Sequence, residues 1–191
     1  MDIVNIATRN DAFIREVEKE SGQRISACYQ CGNCSAGCPC ASVYDLQVSQ
    51  VMRALQLGQK EMIFNSVSPW LCLSCSTCTA RCPNNIDVAV VMDVLRHLAA
   101  REGVVKERGV NAFWKSFLLM VRQFGRTYEA GVMGAFKMRT GRLFGDLDLA
   151  PKALMKNKLP IFPHVAGREH VAKIFQRFDA LRAEGKDGGQ S

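Results

Sequence analysis

Apolar side chains recur along this chain at helical spacing. Val48, Val51, Met52 and Leu55 fall at i, i+3, i+4 and i+7, on one face of a helix that Gly58 ends. Val88, Val91, Met92, Leu95, Leu98 and Ala99 repeat the pattern, and Asp87 stands where an N-cap belongs. Upstream, Thr8 or Asn10 offers a cap for a helix that runs to about Ser21 and stops at Gly22. No run of alternating β-branched residues marks a sheet, so the expected class is all-α.

The texture changes near Lys106. Phe113, Phe117, Met120, Val121 and Phe124 mark one amphipathic helix, and Val132, Met133 and Phe136 a second. Pro151, Pro160 and Pro163 punctuate the next stretch, before Val171, Ile174, Phe175, Phe178 and Leu181 mark a last helix. Each stripe alone is explained by packing on the chain's own core; together, helices joined by proline-rich linkers also suit wrapping a partner. The expected organisation is an N-terminal helix within residues 1–22, a head over 23–103, a helical extension over 104–185 and a disordered tail at 186–191.

The head holds all nine cysteines, and eight repeat one spacing, C-x2-C-x2-C-x3-C-P. The first copy is Cys28, Cys31, Cys34 and Cys38 with Pro39; the second, 44 residues on, is Cys72, Cys75, Cys78 and Cys82 with Pro83. Two intervening residues let successive sulfurs converge on a compact iron–sulfur core. A proline after the fourth cysteine fixes φ and turns the chain away. Small residues between the cysteines, such as Gly32, Ser35, Gly37, Ser74, Ser76 and Thr79, let backbone amides approach the sulfurs.

The spacing resembles that of bacterial two-cluster ferredoxins, in which the fourth cysteine of each motif ligates the other motif's cluster. That resemblance implies two [4Fe-4S] clusters, one on Cys28, Cys31, Cys34 and Cys82, the other on Cys72, Cys75, Cys78 and Cys38. The 33 residues between Cys38 and Cys72 carry a helical period, which fits an α-helical ferredoxin domain better than a small β-hairpin one. Structural zinc also takes C-x2-C pairs, but four ligands per ion leave the third C-x2 step and both C-x3-C-P endings unexplained. A disulfide framework fits poorly with an odd ninth cysteine in a chain of 191 residues. That ninth, Cys40, reads as a small filler beside a cluster rather than a ligand. His97, His164 and His170 lie far from any cysteine pair and are assigned no metal.

Charge separates the two parts. Residues 1–95 hold 7 Lys or Arg and 9 Asp or Glu, a net of −2, and residues 96–191 hold 18 and 9, a net of +9. Each oxidised cubane with four thiolates adds about −2 to the head. A basic, helical extension without a groove-reading motif or an aromatic RNA-binding box points to a protein partner rather than nucleic acid. Uninterrupted apolar runs reach five residues, at 88–92 and 117–121, where a membrane helix needs about twenty. Residues 1–20 contain no apolar signal region, so a cytoplasmic protein is expected.

Beyond the cysteines, the strings CYQCGNCSAGCP (28–39), YDLQVSQVMRALQLG (44–58), WLCLSC (70–75) and CLSCSTCTARCP (72–83) resemble the C subunit of heterodisulfide reductase. The likeness is strong over about 24–98 and looser in RTYEAG (126–131) and LFGDLDLAPKAL (143–154); Cys40 departs from the usual run. It implies an electron-relay role without catalytic residues in this chain. A flavin-containing A-type subunit would feed its two clusters, which would pass electrons to a CCG-type B subunit that acts on a disulfide. This sequence has no adjacent Cys–Cys pair to form a CCG site and no G-x-G-x-x-G dinucleotide fingerprint. Two other readings stay open. One is the iron–sulfur subunit of another cytosolic dehydrogenase, of glycolate or glycerol-phosphate oxidase type; the other is a zinc or redox-sensing module.

Overall fold

The computed structural model describes residues 9–141, 155 and 163–187. Helix α1 (Asp11–Ser21) begins where the Asn10 side chain accepts the Phe13 N–H at 2.9 Å. It ends at Gly22, whose φ of 66° only glycine adopts freely and whose N–H returns to the Glu18 carbonyl. Thr8 lies outside the described residues, so Asn10 is the cap.

The first motif comes next, with a short helix α2 (Asn33–Ala36), and then α3 (Val48–Gln56). Gly58 closes α3 at φ 64°, and its carbonyl accepts the Asn10 N–H at 3.1 Å. A Cβ at Gly58 would lie 2.6 Å from that nitrogen, so the junction demands glycine twice over. Two short helices complete the spacer, α4 (Lys60–Phe64) and α5 (Ser68–Leu71), before the second motif with α6 (Thr77–Ala80) and the long α7 (Val88–Arg101). Asp87 caps α7 by accepting the Val90 N–H at 3.2 Å.

The apolar faces read from the sequence become one core. Val51 and Leu55 of α3 and Val91 and Leu95 of α7 are fully enclosed, together with Val17 of α1 and Ile63 of α4. Each such side chain contributes about 1.5–3 kcal/mol through burial. Phe13 meets Phe64 edge-on, centroids 5.4 Å apart, which joins α1 to α4. Arg101 pairs with Glu16 and Glu20 at 2.9 and 2.8 Å, but these exposed pairs contribute under about 1 kcal/mol.

Asp45 anchors the spacer. Its Oδ1 accepts from Ser66 Oγ at 2.6 Å, Ser68 Oγ at 2.7 Å and the Leu46 N–H at 2.9 Å, and its Oδ2 accepts the Val67 N–H at 3.0 Å. Ser66 and Ser68 are fully buried; removing the carboxylate leaves the Ser66 hydroxyl without its acceptor, whereas that of Ser68 keeps the Leu46 carbonyl at 2.7 Å. Desolvation raises the Asp45 pKa, but the bonds from Ser66, Ser68, Val67 and Leu46 outweigh it and hold it below the ordinary value. Asp45→Ala should lower unfolding stability by about 2 kcal/mol at neutral pH, read from denaturant midpoints of cluster-loaded protein. Because the folded pKa is depressed, that stabilisation is complete above the unfolded value of about 3.9 and disappears as pH falls through the folded one. The wild-type and variant curves should therefore converge in acid.

The chain divides into two compact units, Met1–Arg108 and Gly109–Ser191. The first runs slightly past the expected head, because Val104 and Val105 still pack on its core after α7. In the second, α8 (Arg108–Phe124) and α9 (Glu129–Thr140) bury Met120, Val132 and Ala135 beneath Phe117, Phe124 and Tyr128. Helix α10 (Arg168–Asp187) attaches through Arg122, which pairs with Asp179 at 3.0 Å and stacks over Phe175 at 5.5 Å. The expected stripe of α10 is only partly packed: Ile174, Phe178 and Leu181 are 65, 59 and 67% exposed. The helix also runs past Gly185 through Lys186 and Asp187, where a tail was expected, since one glycine costs a helix only about 1 kcal/mol. Residues 188–191 and the stretch with Pro151, Pro160 and the 143–154 string lie outside the described residues. Among the described residues there is no strand, and no helix is long and apolar enough to cross a membrane.

Candidate functional site: two cysteine-lined cavities

The two motifs take the same backbone path. Two residues after the first cysteine, Gln30 and Ser74 take φ of 64° and 50°; four residues after it, Gly32 and Ser76 take 81° and 58°. Three of these four are not glycine and bear a left-handed conformation that L-residues avoid. This winding wraps the C-x2-C-x2-C segment round a centre and delivers the third cysteine on a short helix, Cys34 on α2 and Cys78 on α6.

Each motif is also fastened alike to the next long helix. The Ser35 hydroxyl accepts the N–H of Ser49, the second residue of α3, at 2.8 Å. The Thr79 hydroxyl, at the matching position, accepts the N–H of Ala89, the second residue of α7, at 3.3 Å. Helices α2 and α6 pack together, and Gly37 lies against Arg81: a Cβ at Gly37 would come within 2.5 Å of the Arg81 side chain. Side-chain amides close the other side. Asn84 donates to the Ala27 carbonyl, and the Asp87 N–H donates to Gln23 Oε1 at 2.8 Å, so the exit of the second motif is tied to the approach to the first.

Two small cavities of similar size result. The first is lined by Cys28, Cys31, Cys34 and Cys82, with Gln30, Ser49, Met52, Ile86 and Val88 among the rest. The second is lined by Cys38, Cys72, Cys75 and Cys78, with Cys40, Tyr44, Val48 and Met92. Each therefore gathers three cysteines of one motif and the fourth of the other.

Donors already face several sulfurs. Gln30 Nε2 reaches Cys28 Sγ at 3.3 Å, the Ile86 N–H reaches Cys82 Sγ at 3.4 Å, and Cys75 Sγ shares a hydrogen bond with Thr77 Oγ1 at 3.4 Å. Gln56 of α3 holds the Cys28 carbonyl at 2.7 Å and accepts from Gln30. Desolvation pushes the Cys34 and Cys78 thiols up, whereas the Thr77 hydroxyl and amide hold that of Cys75 down. Cysteine binds metal as the thiolate, and a bound metal offsets the desolvation that disfavours that form, so the pair of enclosures suits thiolate-bound clusters. Among the described residues no group of three or more His, Cys, Asp or Glu side chains is set to hold a single metal ion. Four thiolates spread round a cavity match a multi-iron core, which is wider than one zinc.

Gln30, Gln56, Tyr44 and Asp45 carry no signal in the sequence by themselves; only the folded motif shows what they touch. Cys40, read as a filler, lines the second cavity and is half-buried.

Residues 27–87 match the family model of the 4Fe-4S dicluster domain. The iron-sulfur C subunit of the CoB–CoM heterodisulfide reductase of Methanopyrus kandleri is 36% identical over 45% of this chain and 45% of its own length. A protein of Archaeoglobus profundus, named as like the C subunit of heterodisulfide reductase, is 32% identical over 53% and 58%. The C subunit of the H(2):CoB-CoM heterodisulfide,ferredoxin reductase of Methanothermobacter marburgensis is 28% identical over 53% and 55%. The chain spans about half the length of the curated relatives it matches. The cysteine-rich unit is thus a 4Fe-4S dicluster domain, carrying two such clusters, in a chain similar in sequence to the C subunits of heterodisulfide reductases.

Proposed function

We propose that this chain is the electron-transfer subunit of a cytoplasmic complex of heterodisulfide reductase type. One cluster is held by Cys28, Cys31, Cys34 and Cys82, the other by Cys72, Cys75, Cys78 and Cys38. The observation that carries this reading is the pair of cavities, each bordered by three cysteines of one motif and one of the other. The clusters supply one-electron storage; the protein's part is to hold them close, solvate their charge with hydrogen bonds and present their edges.

Each cavity has one exposed cysteine, Cys31 or Cys75. Beside it stands an exposed apolar side chain directly after the first cysteine, Tyr29 at 61% or Leu73 at 67%. Two such edges on one domain suit a relay with an electron entering at one and leaving at the other. The relatives' names support a heterodisulfide reductase setting; in it the donor would be a flavin-containing protein and the acceptor a CCG-type protein acting on a disulfide.

Affinity purification of the intact chain from its host tests this. The expected co-purifying proteins are a large flavoprotein and a protein with CCG motifs. Recovery with an FAD-linked hydroxy-acid oxidase instead would replace this reading with the dehydrogenase one, and a colourless zinc protein would replace both.

A further inference from the structure

The two motifs carry different side chains on one shared frame. Helices α3 and α7 start at matching places, since the N–H of the second residue of each reaches Ser35 or Thr79. Counted from there, Met52 matches Met92, and each borders the cavity of the motif before its helix. One turn further on, Gln56 matches Arg96, and each donates to the carbonyl of the first cysteine. Gln56 reaches that of Cys28 at 2.7 Å, and Arg96 that of Cys72 at 3.4 Å.

The copies part between the first two cysteines. Gln30 and Ser74 share a place in the motif and a left-handed φ. Ser74 donates to Asp93 Oδ1 at 2.9 Å, and Asp93 also pairs with Arg96. Gln30 instead borders the first cavity and donates to Cys28 Sγ at 3.3 Å. Its neighbours fix which way its amide points. Gln56 Nε2 donates to the Ile25 and Cys28 carbonyls at 3.1 and 2.7 Å, so both its hydrogens are engaged. Gln56 Oε1 then accepts from Gln30 Nε2 at 3.4 Å and from Arg53 Nη1 at 3.3 Å. One Gln30 hydrogen goes to Gln56 and the other is left for the sulfur. The flipped amide would set its oxygen against two acceptors. A backbone at φ 64° favours glycine, so the amide rather than the turn accounts for glutamine here.

We propose that Gln30 is a positioning residue for electron transfer: its amide, oriented by Gln56, donates to the Cys28 sulfur and raises the midpoint potential of that motif's cluster. The proposal rests on Cys28 being a ligand, and it holds whichever fourth cysteine completes the cluster. Reduction places added charge partly on the ligand sulfurs, so a donor aimed at one binds the reduced state more strongly and favours it. In the second motif the matching hydroxyl serves Asp93, and the charge nearest the first cysteine is the Arg96–Asp93 pair. The clusters are therefore tuned by different means, one by an amide and the other beside an ion pair.

The test is an EPR-monitored redox titration of anaerobically purified full-length chain, with iron analysis. Gln30→Met should retain about eight irons, as two cubanes require. It should weaken reduction of one cluster about fivefold, a fall of about 40 mV at 59 mV per tenfold for a one-electron couple. Gln30→Gly, which suits the left-handed turn better, should lower the same midpoint without loss of thermal stability. Arg96→Met leaves Asp93 without its cation and should lower chiefly the other midpoint. Unmoved midpoints, an equal shift of both clusters, or Gln30→Met and Arg96→Met acting chiefly on the same cluster would overturn the tuning role. So would loss of iron from both Gln30 variants, which would make Gln30 a structural residue. Cys28→Ser with eight irons and an unchanged spectrum would remove the ligand assignment as well, whereas unmoved midpoints in eight-iron Gln30 variants would remove only this proposal.

Discussion

A chain ending at Arg108 is expected to keep both clusters and lose its partner proteins. Every cysteine lies within Met1–Arg108, and that unit has its own core from Phe13 to Val105. The cut falls beyond Val104 and Val105, which pack on that core, so the head should remain brown with about eight irons. What it loses is basic: residues 109–191 carry 14 Lys or Arg against 7 Asp or Glu. It also loses Phe113 and Trp114 of α8 and Ile174, Phe178 and Leu181 of α10, all exposed. Exposed large apolar side chains in a basic unit suit a protein surface of opposite charge. Tunnelling requires the clusters to be held close to donor and acceptor, so an undocked head would lose transfer without losing iron. Co-purification of the shortened chain with flavoprotein and CCG-type protein should fall to background, and disulfide reduction by the reassembled complex with it. Full assembly and activity of the shortened chain would reduce the second unit to a solvated appendage.

Where the pattern had a period, it was legible in the sequence alone. The stripes on α3 and α7 marked the core, Asp87 one cap and the choice of Thr8 or Asn10 the other, and Gly22 and Gly58 the stops, because those features act within a few residues of one another. The cysteine spacing was legible for the same reason: a cubane dictates local offsets. What stayed hidden depends on contacts between distant parts. Helices α4 and α5 are too short to show a period, and Asp45 acquires its meaning only when Ser66 and Ser68 fold back to it. The left-handed turns at Gln30, Ser74 and Ser76 were invisible because nothing about glutamine or serine announces φ above zero. The stripe on α10 was correctly periodic, yet periodicity does not say what covers a face, and Ile174, Phe178 and Leu181 remain exposed.

The second large effect is the crossed loss of clusters. Cys82→Ser should reduce iron from about eight to about four per chain, and the cluster lost should be the one at Cys28, Cys31 and Cys34. The reason is positional: Cys82 borders the cavity of those three cysteines, whereas Cys38 borders the cavity of Cys72, Cys75 and Cys78. A serine in place of the fourth thiolate leaves one iron without its soft ligand in a buried site, and three thiolates hold a cubane poorly. Cys38→Ser should be the mirror image. Each variant leaves one cubane in a different environment, and the two survivors are distinguishable because the donors differ, Gln30 at Cys28 in one and Thr77 at Cys75 in the other. Low-temperature EPR of the two reduced variants, compared with Cys28→Ser and Cys72→Ser as references, is the most direct measurement. The crossed arrangement predicts that Cys82→Ser matches Cys28→Ser and that Cys38→Ser matches Cys72→Ser. If Cys82→Ser instead matches Cys72→Ser, each motif encloses its own cluster and the arrangement proposed for this domain is wrong.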